Sequence, residues 1–388
     1  MKISRRLKNI GPSLTLAVTA RAKALQKEGV DVVSFAAGEP DFETPEHIKE
    51  AARQAIAQGR TRYTPAKGMP ELIEAVRRKF RRDNSLEYAA EQIVVSCGAK
   101  HSLYNVFQAI CEKGDEVIIP TPYWVTYPEQ VKLAGGTPVF LETREEDAFR
   151  LDPERLARAV TPRTRALIVS SPSNPAGNVY PAADLAFIAR LALEKDLYLV
   201  SDEIYEKLVF DGFAAKSIAS LSREVQERTI VVNGVSKTYA MTGWRVGYLA
   251  APAAVAQAIS NFQDHTTSNP TTIAQYAALA ALAGDQSCVE TMRRAFEERR
   301  NIMLQGFARV PGVSCVKPKG TFYTFPNVSA LRIPSLDLAD RLLEEARIAV
   351  VPGIAFGWDT HIRMSFADSK ENLLKGLERL GNFVAKLA

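Results

Sequence analysis

Through the middle of the chain, apolar runs of strand length alternate with longer patterns of helical spacing. Six runs are nearly continuous in apolar residues: 93–96, 117–120, 166–170, 197–200, 229–232 and 246–249. Continuous apolar runs are typical of strands that are covered on both faces, as in a parallel sheet. The intervening helical patterns supply that cover. The sequence therefore predicts an α/β fold with a mostly parallel sheet.

The last part of the chain follows a different pattern. A long charged helix is predicted first, and short strand-like runs at 321–326 and 348–351 follow, together with two further helical patterns. We interpret residues 288–388 as a smaller α+β domain, which the loop-rich arm at residues 1–45 joins. Residues 46–287 then form the large domain between the two parts.

Composition and charge narrow the classes of partner. The chain has 388 residues, with 46% hydrophobic and 24% charged residues and a formal net charge of +5, as in ordinary globular enzymes. The densest basic cluster, at residues 77–82, lies on a helical pattern and is interpreted as a solvated helix face. We therefore expect no nucleic-acid partner. No apolar stretch is long enough to predict a membrane span.

The four cysteines form no CxxC pair, and no histidine or cysteine cluster has the spacing of metal ligands. We therefore expect no metal site and a reduced, cytoplasmic compartment.

Polar residues follow the predicted strands at the edge where an open α/β sheet binds its ligands. Each feature alone is unspecific, since 98–100 lacks the P-loop spacing and most lysines lie at the surface. Together they predict one crevice with an anion site, an aromatic plate, an amide, a carboxylate, a phenol and an amine. In chain order, the set is Gly98, Ala99, Lys100, Trp124, Asn174, Asp202, Tyr205, Ser236, Lys237 and Arg245.

This set resembles the class I aminotransferases of fold type I, which depend on pyridoxal phosphate, and the resemblance covers the whole chain. Its motifs here are Gly38-Glu39-Pro40-Asp41, Pro122-Tyr123-Trp124, Asn174-Pro175-Ala176-Gly177, Asp202-Glu203-Ile204-Tyr205, Ser236-Lys237, Met241-Thr242-Gly243-Trp244-Arg245-Val246-Gly247 and Arg363-Met364-Ser365-Phe366-Ala367. The resemblance implies an aminotransferase with pyridoxal 5'-phosphate as cofactor and a large cofactor-binding domain.

The resemblance also implies catalytic roles. Lys237 would carry the cofactor and, once freed, would move a proton between substrate and cofactor. Asp202 would pair with the ring nitrogen, so that the ring acts as an electron sink. Tyr205 and Asn174 would bond the phenolic oxygen of the ring, and Trp124 would stack on its face.

Two anionic groups would be held by separate sets of residues. The phosphate would contact Gly98, Ala99, Lys100, Ser236 and Arg245 of one chain. Tyr63 resembles the family's tyrosine that reaches the phosphate of the neighbouring subunit, which implies a homodimer with shared active sites. Arg363 would grip the substrate α-carboxylate as a two-pronged donor, with Asn174 and Trp124 beside it. Gly38 would let the chain pass close to the substrate.

The substrate is indicated by a further resemblance, to bacterial aspartate aminotransferases of the one-gamma subgroup. Ser13, Thr15 and Lys100 stand where that subgroup receives the distal carboxylate, and a cation with two hydroxyls suits a dicarboxylate. We expect transamination between L-aspartate and 2-oxoglutarate, giving oxaloacetate and L-glutamate. Several relatives that also use prephenate carry a lysine where this chain has Gly11.

Other functions stay open at this point. At the same cofactor, the chain could act on prephenate or aromatic amino acids, or as a β-lyase. A regulator that senses an effector through this fold would need an added DNA-binding domain, for which we expect no room. A nicotinamide dehydrogenase is disfavoured because no GxGxxG follows the first strand.

Overall fold

A computed structural model describes residues 3–8 and 10–387; residues 1, 2, 9 and 388 of the predicted terminal segments lie outside it. The helices are α1 (Arg5–Lys8), α2 (Leu14–Lys27), α3 (Glu46–Ala57), α4 (Pro70–Asn84), α5 (Ala99–Ile110), α6 (Thr126–Leu133), α7 (Pro153–Ala159), α8 (Ala182–Glu194), α9 (Arg223–Gln226), α10 (Ala253–Asp264), α11 (Thr272–Ala283), α12 (Ser287–Phe307), α13 (Ser335–Glu345) and α14 (Lys370–Ala385). The strands are β1 (Val33–Ser34), β2 (Ile93–Ser96), β3 (Glu116–Pro120), β4 (Thr137–Leu141), β5 (Thr164–Ser170), β6 (Tyr198–Asp202), β7 (Thr229–Gly234), β8 (Gly247–Ala250), β9 (Tyr323–Thr324), β10 (Ile348–Ala349), β11 (Val351–Pro352) and β12 (Ile362–Ser365).

The main sheet has the strand order β2-β8-β7-β6-β5-β3-β4 within the described part of the chain. Strands β4, β3, β5, β6 and β7 run parallel, and β8 is antiparallel to both of its neighbours. The central strands are apolar and fully buried, because helices such as α5 and α8 pack against the two faces of the sheet. The prediction of a mostly parallel α/β sheet is confirmed.

Both ends of the chain contribute to a second region. β1 pairs in parallel with β10, and β11, β12 and β9 form a small antiparallel sheet. Phe35, near the start of the chain, shares an apolar core with Phe296 of α12 and with Leu373 and Leu380 of α14. This arrangement agrees with the predicted smaller domain, whose boundaries at residues 45 and 287 stay a prediction. No helix in the described ranges has the length and apolar character needed to cross a membrane.

One sequence-based interpretation was wrong. Lys79, placed on a solvated helix face, is 3% exposed, because it turns inward from α4. Its Nζ forms an ion pair with Glu206 and donates to Asn84 Oδ1 at 2.7 Å, while Asn84 Nδ2 donates to Glu206 at 2.6 Å. The neighbouring Arg78 is exposed, as expected. The ion pair with Glu206 and the hydrogen bond to Asn84 offset the cost of burying the Lys79 charge.

Candidate active site

A cavity of about 390 Å³ lies at the carboxyl ends of the central strands, within the size range of small-molecule sites. Most of the residues predicted for the site line this one cavity. They are Ser13, Thr15, Gly38, Ala99, Lys100, Trp124, Asn174, Asp202, Tyr205, Ser236, Lys237, Arg245 and Arg363. Gly98 packs against the Arg245 guanidinium, and Tyr63 does not line the cavity.

The strand register explains why residues far apart in sequence meet here. Ser170, at the end of β5, pairs with Asp202, at the end of β6, and Asp202 in turn pairs with Val232 of β7. Because parallel strands end at the same edge, the loops that follow them converge. Lys237 comes from the loop after β7, whereas Arg363 reaches the cavity from β12 of the small sheet.

Lys237 is held at the floor of the cavity as a candidate base. Its Nζ donates a hydrogen bond to the carbonyl oxygen of Gly38 at 2.6 Å. Burial lowers the pKa of Lys237 to about 8, Glu39 opposes this effect, and the positive charge of Arg363 adds to it. A substantial fraction of the amine is therefore neutral near physiological pH, as a nucleophile or proton acceptor requires.

Asp202 is a buried carboxylate with a defined donor. It is 5% exposed and accepts hydrogen bonds from the Tyr127 hydroxyl at 2.6 Å and from the Ile204 amide at 3.3 Å. Burial raises the pKa of Asp202, while the Tyr127 hydrogen bond and the charge of Lys237 oppose that rise. Such a carboxylate is suited to pair with a cationic N–H group of a ligand in the cavity.

An anion cradle is formed where β2 leads into α5. Gly98 has φ +88°, and a Cβ there would lie 2.5 Å from the Arg245 guanidinium. A Cβ on Gly247 would lie 2.2 Å from the amide nitrogen of Ala99, so β8 packs directly beneath the start of the helix. Both glycines allow the helix N-terminus and the Arg245 guanidinium to approach one point, which favours a phosphate group.

Arg363 is a second anion-binding centre, and it is 3% exposed. Its Nη1 donates to Asn174 Oδ1 and its Nη2 donates to the carbonyl oxygen of Ala36, both at 3.1 Å. Its Nε has no hydrogen-bond partner within residues 3–8 and 10–387. The guanidinium is thus fixed in orientation by neutral groups and keeps its positive charge for a ligand carboxylate.

A third polar group lies near the start of α2. The hydroxyl groups of Ser13 and Thr15 are 2.8 Å apart, and both line the cavity. Lys100 also lines the cavity, with its Nζ 5.0 Å from the centre of the Trp124 ring. Partial burial and the charge of Arg245 lower the pKa of Lys100. The cation and the two hydroxyls are the donors that a carboxylate prefers.

Tyr63 is a predicted site residue that does not line the cavity of the single chain. Its side chain is 92% exposed, although the loop that carries it is well anchored. Gln275 accepts the amide of Met69 at 2.8 Å and donates to the Thr64 hydroxyl at 2.9 Å. A rigid loop that presents an exposed aromatic side chain is typical of a protein–protein contact.

Two tyrosines of the site were missed at the sequence level. Tyr127 follows Trp124 by three residues and packs edge-on against it, with ring centres 5.3 Å apart. Tyr323 lies in β9, and its hydroxyl is 3.1 Å from that of Tyr205. The Tyr127 amide donates to the Trp124 carbonyl at 3.0 Å in the turn that leads into α6, so the short spacing from Trp124 is a signal that could have found Tyr127. Tyr323 had no such signal, since its strand belongs to the other sheet.

The chain matches the family model of aminotransferase class I and II over residues 30–380 and belongs to that family. It is therefore an enzyme, and the resemblance noted from the motifs is confirmed.

Similar proteins of this family match over the full length. The aspartate aminotransferase of Geobacillus stearothermophilus is 49% identical, with 99% of each chain covered. The aspartate/prephenate aminotransferase of Thermus thermophilus is 48% identical, again with 99% of each chain covered. The structure of the aspartate aminotransferase from Thermus thermophilus with maleate has a TM-score of 0.95 at 48% identity, covering 98% of this chain and 99% of that one. An aspartate aminotransferase from Rhizobium meliloti has a TM-score of 0.96 at 41% identity, with both chains fully covered. These likenesses confirm the fold type I architecture.

Proposed function

We propose that the protein is a pyridoxal-phosphate-dependent aspartate aminotransferase, which transfers the amino group of L-aspartate to 2-oxoglutarate. One observation carries this proposal: a lysine with a lowered pKa shares a single cavity with a buried carboxylate and separate anion-binding groups. That combination suits a phosphorylated, cationic ring together with a substrate that has two carboxylates. The named activities of the full-length relatives support it.

The residues present fit the cofactor. The phosphate would lie in the cradle formed by the backbone of Gly98, Ala99 and Lys100 with Ser236 and Arg245, where the missing Cβ of Gly98 lets the Arg245 guanidinium approach. Asp202 would pair with the ring nitrogen and Trp124 would lie along the ring face. Tyr205 and Asn174 would donate to the phenolic oxygen. When bound, pyridoxal phosphate supplies an electron sink for the negative charge that develops at the substrate Cα.

The protein itself would supply proton transfer and orientation. The Lys237 amine, whose pKa burial lowers to about 8, would accept the proton from the substrate Cα and then pass it to the cofactor. Arg363 would hold the α-carboxylate, with Asn174 fixing one edge of the guanidinium. Holding the carboxylate at one point fixes the direction of the Cα–H bond, which reduces the entropy cost of the reaction.

Selectivity for dicarboxylates would come from Lys100, Ser13 and Thr15. These side chains line the same cavity as Arg363, so a short dicarboxylate can contact both groups. Maleate, present in the related structure from Thermus thermophilus, is a dicarboxylate of that kind. A monocarboxylate with an aromatic side chain would leave Lys100 without a partner, which costs affinity.

We further propose a cytoplasmic homodimer with shared active sites. The exposed Tyr63 on its anchored loop supports a contact with the phosphate of a second copy. The cysteines Cys97, Cys111, Cys288 and Cys315 are all free thiols, which agrees with a reducing compartment. Sedimentation equilibrium of the wild type and of a Tyr63→Ala variant tests the assembly. The occupancy of the phosphate site is measured in both proteins.

The test of function is single-turnover absorption spectroscopy of the purified protein loaded with pyridoxal phosphate. We expect L-aspartate and L-glutamate to convert the cofactor to its amino form much faster than L-phenylalanine does. In Lys100→Ala, the second-order rate constant for conversion by aspartate should fall about 10- to 100-fold, which is the effect of losing a hydrogen bond to a charged group. The rate with phenylalanine should stay unchanged.

Lys132→Ala is the matched control, because Lys132 is a surface lysine that pairs with Glu129. It should leave the rates with both amino acids unchanged. Equal or faster conversion with phenylalanine in the wild type would refute the aspartate assignment and leave the aminotransferase chemistry standing. The reverse half-reaction, in which the amino form of the enzyme is mixed with prephenate, itself a 2-oxo acid, separates a dual enzyme from a dedicated one. A protein that takes up no pyridoxal phosphate would refute the whole proposal.

A further inference from the structure

Tyr323 contacts both Arg363, which is proposed to bind the substrate, and Tyr205, which is proposed to bind the cofactor. The residue is 1% exposed and lines the cavity. Its ring centre lies 4.2 Å from the guanidinium carbon of Arg363, and its hydroxyl oxygen lies 3.1 Å from that of Tyr205. One side chain therefore contacts the proposed substrate group through its ring and the proposed cofactor group through its hydroxyl.

Strand pairing fixes this position. Tyr323 of β9 pairs with Ser365 of β12, and Arg363 lies two residues before Ser365 on the same face of that strand. Diagonal neighbours across an antiparallel pair are within reach when one side chain is aromatic and the other is long. The contact between Tyr323 and Arg363 thus follows from the sheet register.

The ring holds Arg363 without neutralising it. No carboxylate within the described ranges lies within ion-pair distance of Arg363, and its hydrogen bonds go to neutral oxygens of Asn174 and Ala36. An aromatic face attracts a guanidinium through its quadrupole, which fixes the plane of the cation while leaving its N–H edges available. An acidic residue in that place would compete with the substrate for the same donors.

Either oxygen can be the donor in the hydroxyl contact. Burial raises the pKa of both phenols, so both hydroxyls are protonated and one must donate to the other. The positive charge of Arg363 counteracts the effect of burial at both phenols and selects neither direction. When Tyr323 donates to Tyr205, the Tyr205 proton is free to point at a ligand oxygen, and the chain of two hydrogen bonds strengthens that donation.

We propose that Tyr323 is a positioning residue: its ring orients Arg363 for the substrate carboxylate, and its hydroxyl donates to Tyr205, which directs the Tyr205 proton toward the phenolic oxygen of the cofactor. This inference rests on the proposed function. It also explains why a tyrosine, with both a ring and a hydroxyl, occupies the position.

Two variants separate the ring from the hydroxyl. Tyr323→Phe keeps the ring and removes the hydroxyl, whereas Tyr323→Leu removes both. Tyr88→Phe is the control, because Tyr88 is another buried tyrosine and does not line the cavity.

The ring is tested without cofactor, by calorimetric titration of the apoprotein with maleate. We expect Tyr323→Phe and Tyr88→Phe to bind maleate as the wild type does. Tyr323→Leu should bind it about two- to thirtyfold more weakly, the range of a lost cation–π contact. Equal affinity in Tyr323→Leu would overturn the role of the ring.

The hydroxyl is tested in the holoprotein, by the pH titration of the visible absorption band of bound pyridoxal phosphate. Tyr205→Phe calibrates the shift of the titration midpoint that full loss of the proposed donor causes. We expect Tyr323→Phe to shift the midpoint in the same direction by a smaller amount, and Tyr88→Phe not to shift it. A Tyr323→Phe midpoint equal to that of the wild type, or a Tyr205→Phe variant without a shift, would overturn the role of the hydroxyl. A wild-type protein that binds no pyridoxal phosphate would refute the proposed function, whereas these outcomes in a functional wild type refute the inference alone.

Discussion

Replacing Tyr127 by phenylalanine tests how the buried Asp202 stays ionised. The Tyr127 hydroxyl donates to Asp202 at 2.6 Å, and the other donor to that carboxylate in the described ranges is the Ile204 amide at 3.3 Å. A hydrogen bond to a charged group contributes about 1.5–3 kcal/mol. Its loss therefore disfavours the ionised form of Asp202 by a factor of about 10 to 100, since 1.36 kcal/mol corresponds to a factor of ten.

The sign of the effect on cofactor affinity follows from the direction of the pKa shift. Burial already raises the pKa of Asp202, and loss of the Tyr127 hydrogen bond raises it further. Above that pKa the carboxylate is ionised in both proteins, so Tyr127→Phe binds pyridoxal phosphate as the wild type does. As the pH falls, the variant loses its carboxylate first, and its affinity should fall up to about 10- to 100-fold below that of the wild type.

The assay is the dissociation constant of pyridoxal phosphate, measured by fluorescence quenching across the neutral and acid range. Tyr180→Phe is the matched control, because it removes another buried phenol, one that makes no hydrogen bond to Asp202 in the described ranges. The edge-on packing of the residue-127 ring on Trp124 is kept in Tyr127→Phe, so a change in stacking is not expected. Identical pH profiles for the wild type and Tyr127→Phe would refute the reasoning.

Two further predictions concern Lys79 and Lys237. Lys79→Met leaves the Glu206 carboxylate buried without its cation and should lower the free energy of unfolding by about 3–5 kcal/mol in denaturant titrations. The exposed control Arg78→Met should change it by less than about 0.5 kcal/mol, and equal losses in the two variants would contradict the role of the buried pair. Lys237 in the apoprotein should become reactive toward acetic anhydride as the pH rises through about 8, because only the neutral amine reacts. Competitive labelling read by peptide mass spectrometry measures this titration, and a midpoint near the ordinary lysine value of about 10.4 would count against a desolvated site.

The central strands could be predicted because their burial is visible in the sequence. All six continuous apolar runs correspond to strands of the main sheet. The seventh strand of the described sheet, Thr137–Leu141, was missed because it lies at an edge, paired only with β3, and only its last residue is buried. Exposed residues interrupt the continuous apolar run that marks strands covered on both faces, whereas β2, at the opposite edge, is fully buried and was predicted.

Side-chain partners were harder to predict than strands. Lys79 lies within a basic run, and only the folded chain brings Glu206 and Asn84 close enough to make its burial favourable. Tyr323 and Arg363 enter the cavity from the small antiparallel sheet. The rule that ligands bind at the carboxyl ends of parallel strands therefore does not predict them. Arg363 was predicted through the family resemblance alone. The contacts that cross between the two sheets depend on tertiary structure that no local pattern records.

The charges of the cavity link substrate binding to the strength of the base. Burial is the main cause of the lowered pKa of Lys237, and the positive charges of Arg363, Arg245 and Lys100 contribute to it. A phosphate at Arg245 and a dicarboxylate spanning Arg363 and Lys100 would neutralise those charges. Because a nearby positive charge disfavours a protonated amine, their neutralisation raises the proton affinity of Lys237. Once freed from the cofactor, Lys237 would therefore be a stronger base with the dicarboxylate bound, when the Cα proton has to be removed, than in the empty cavity.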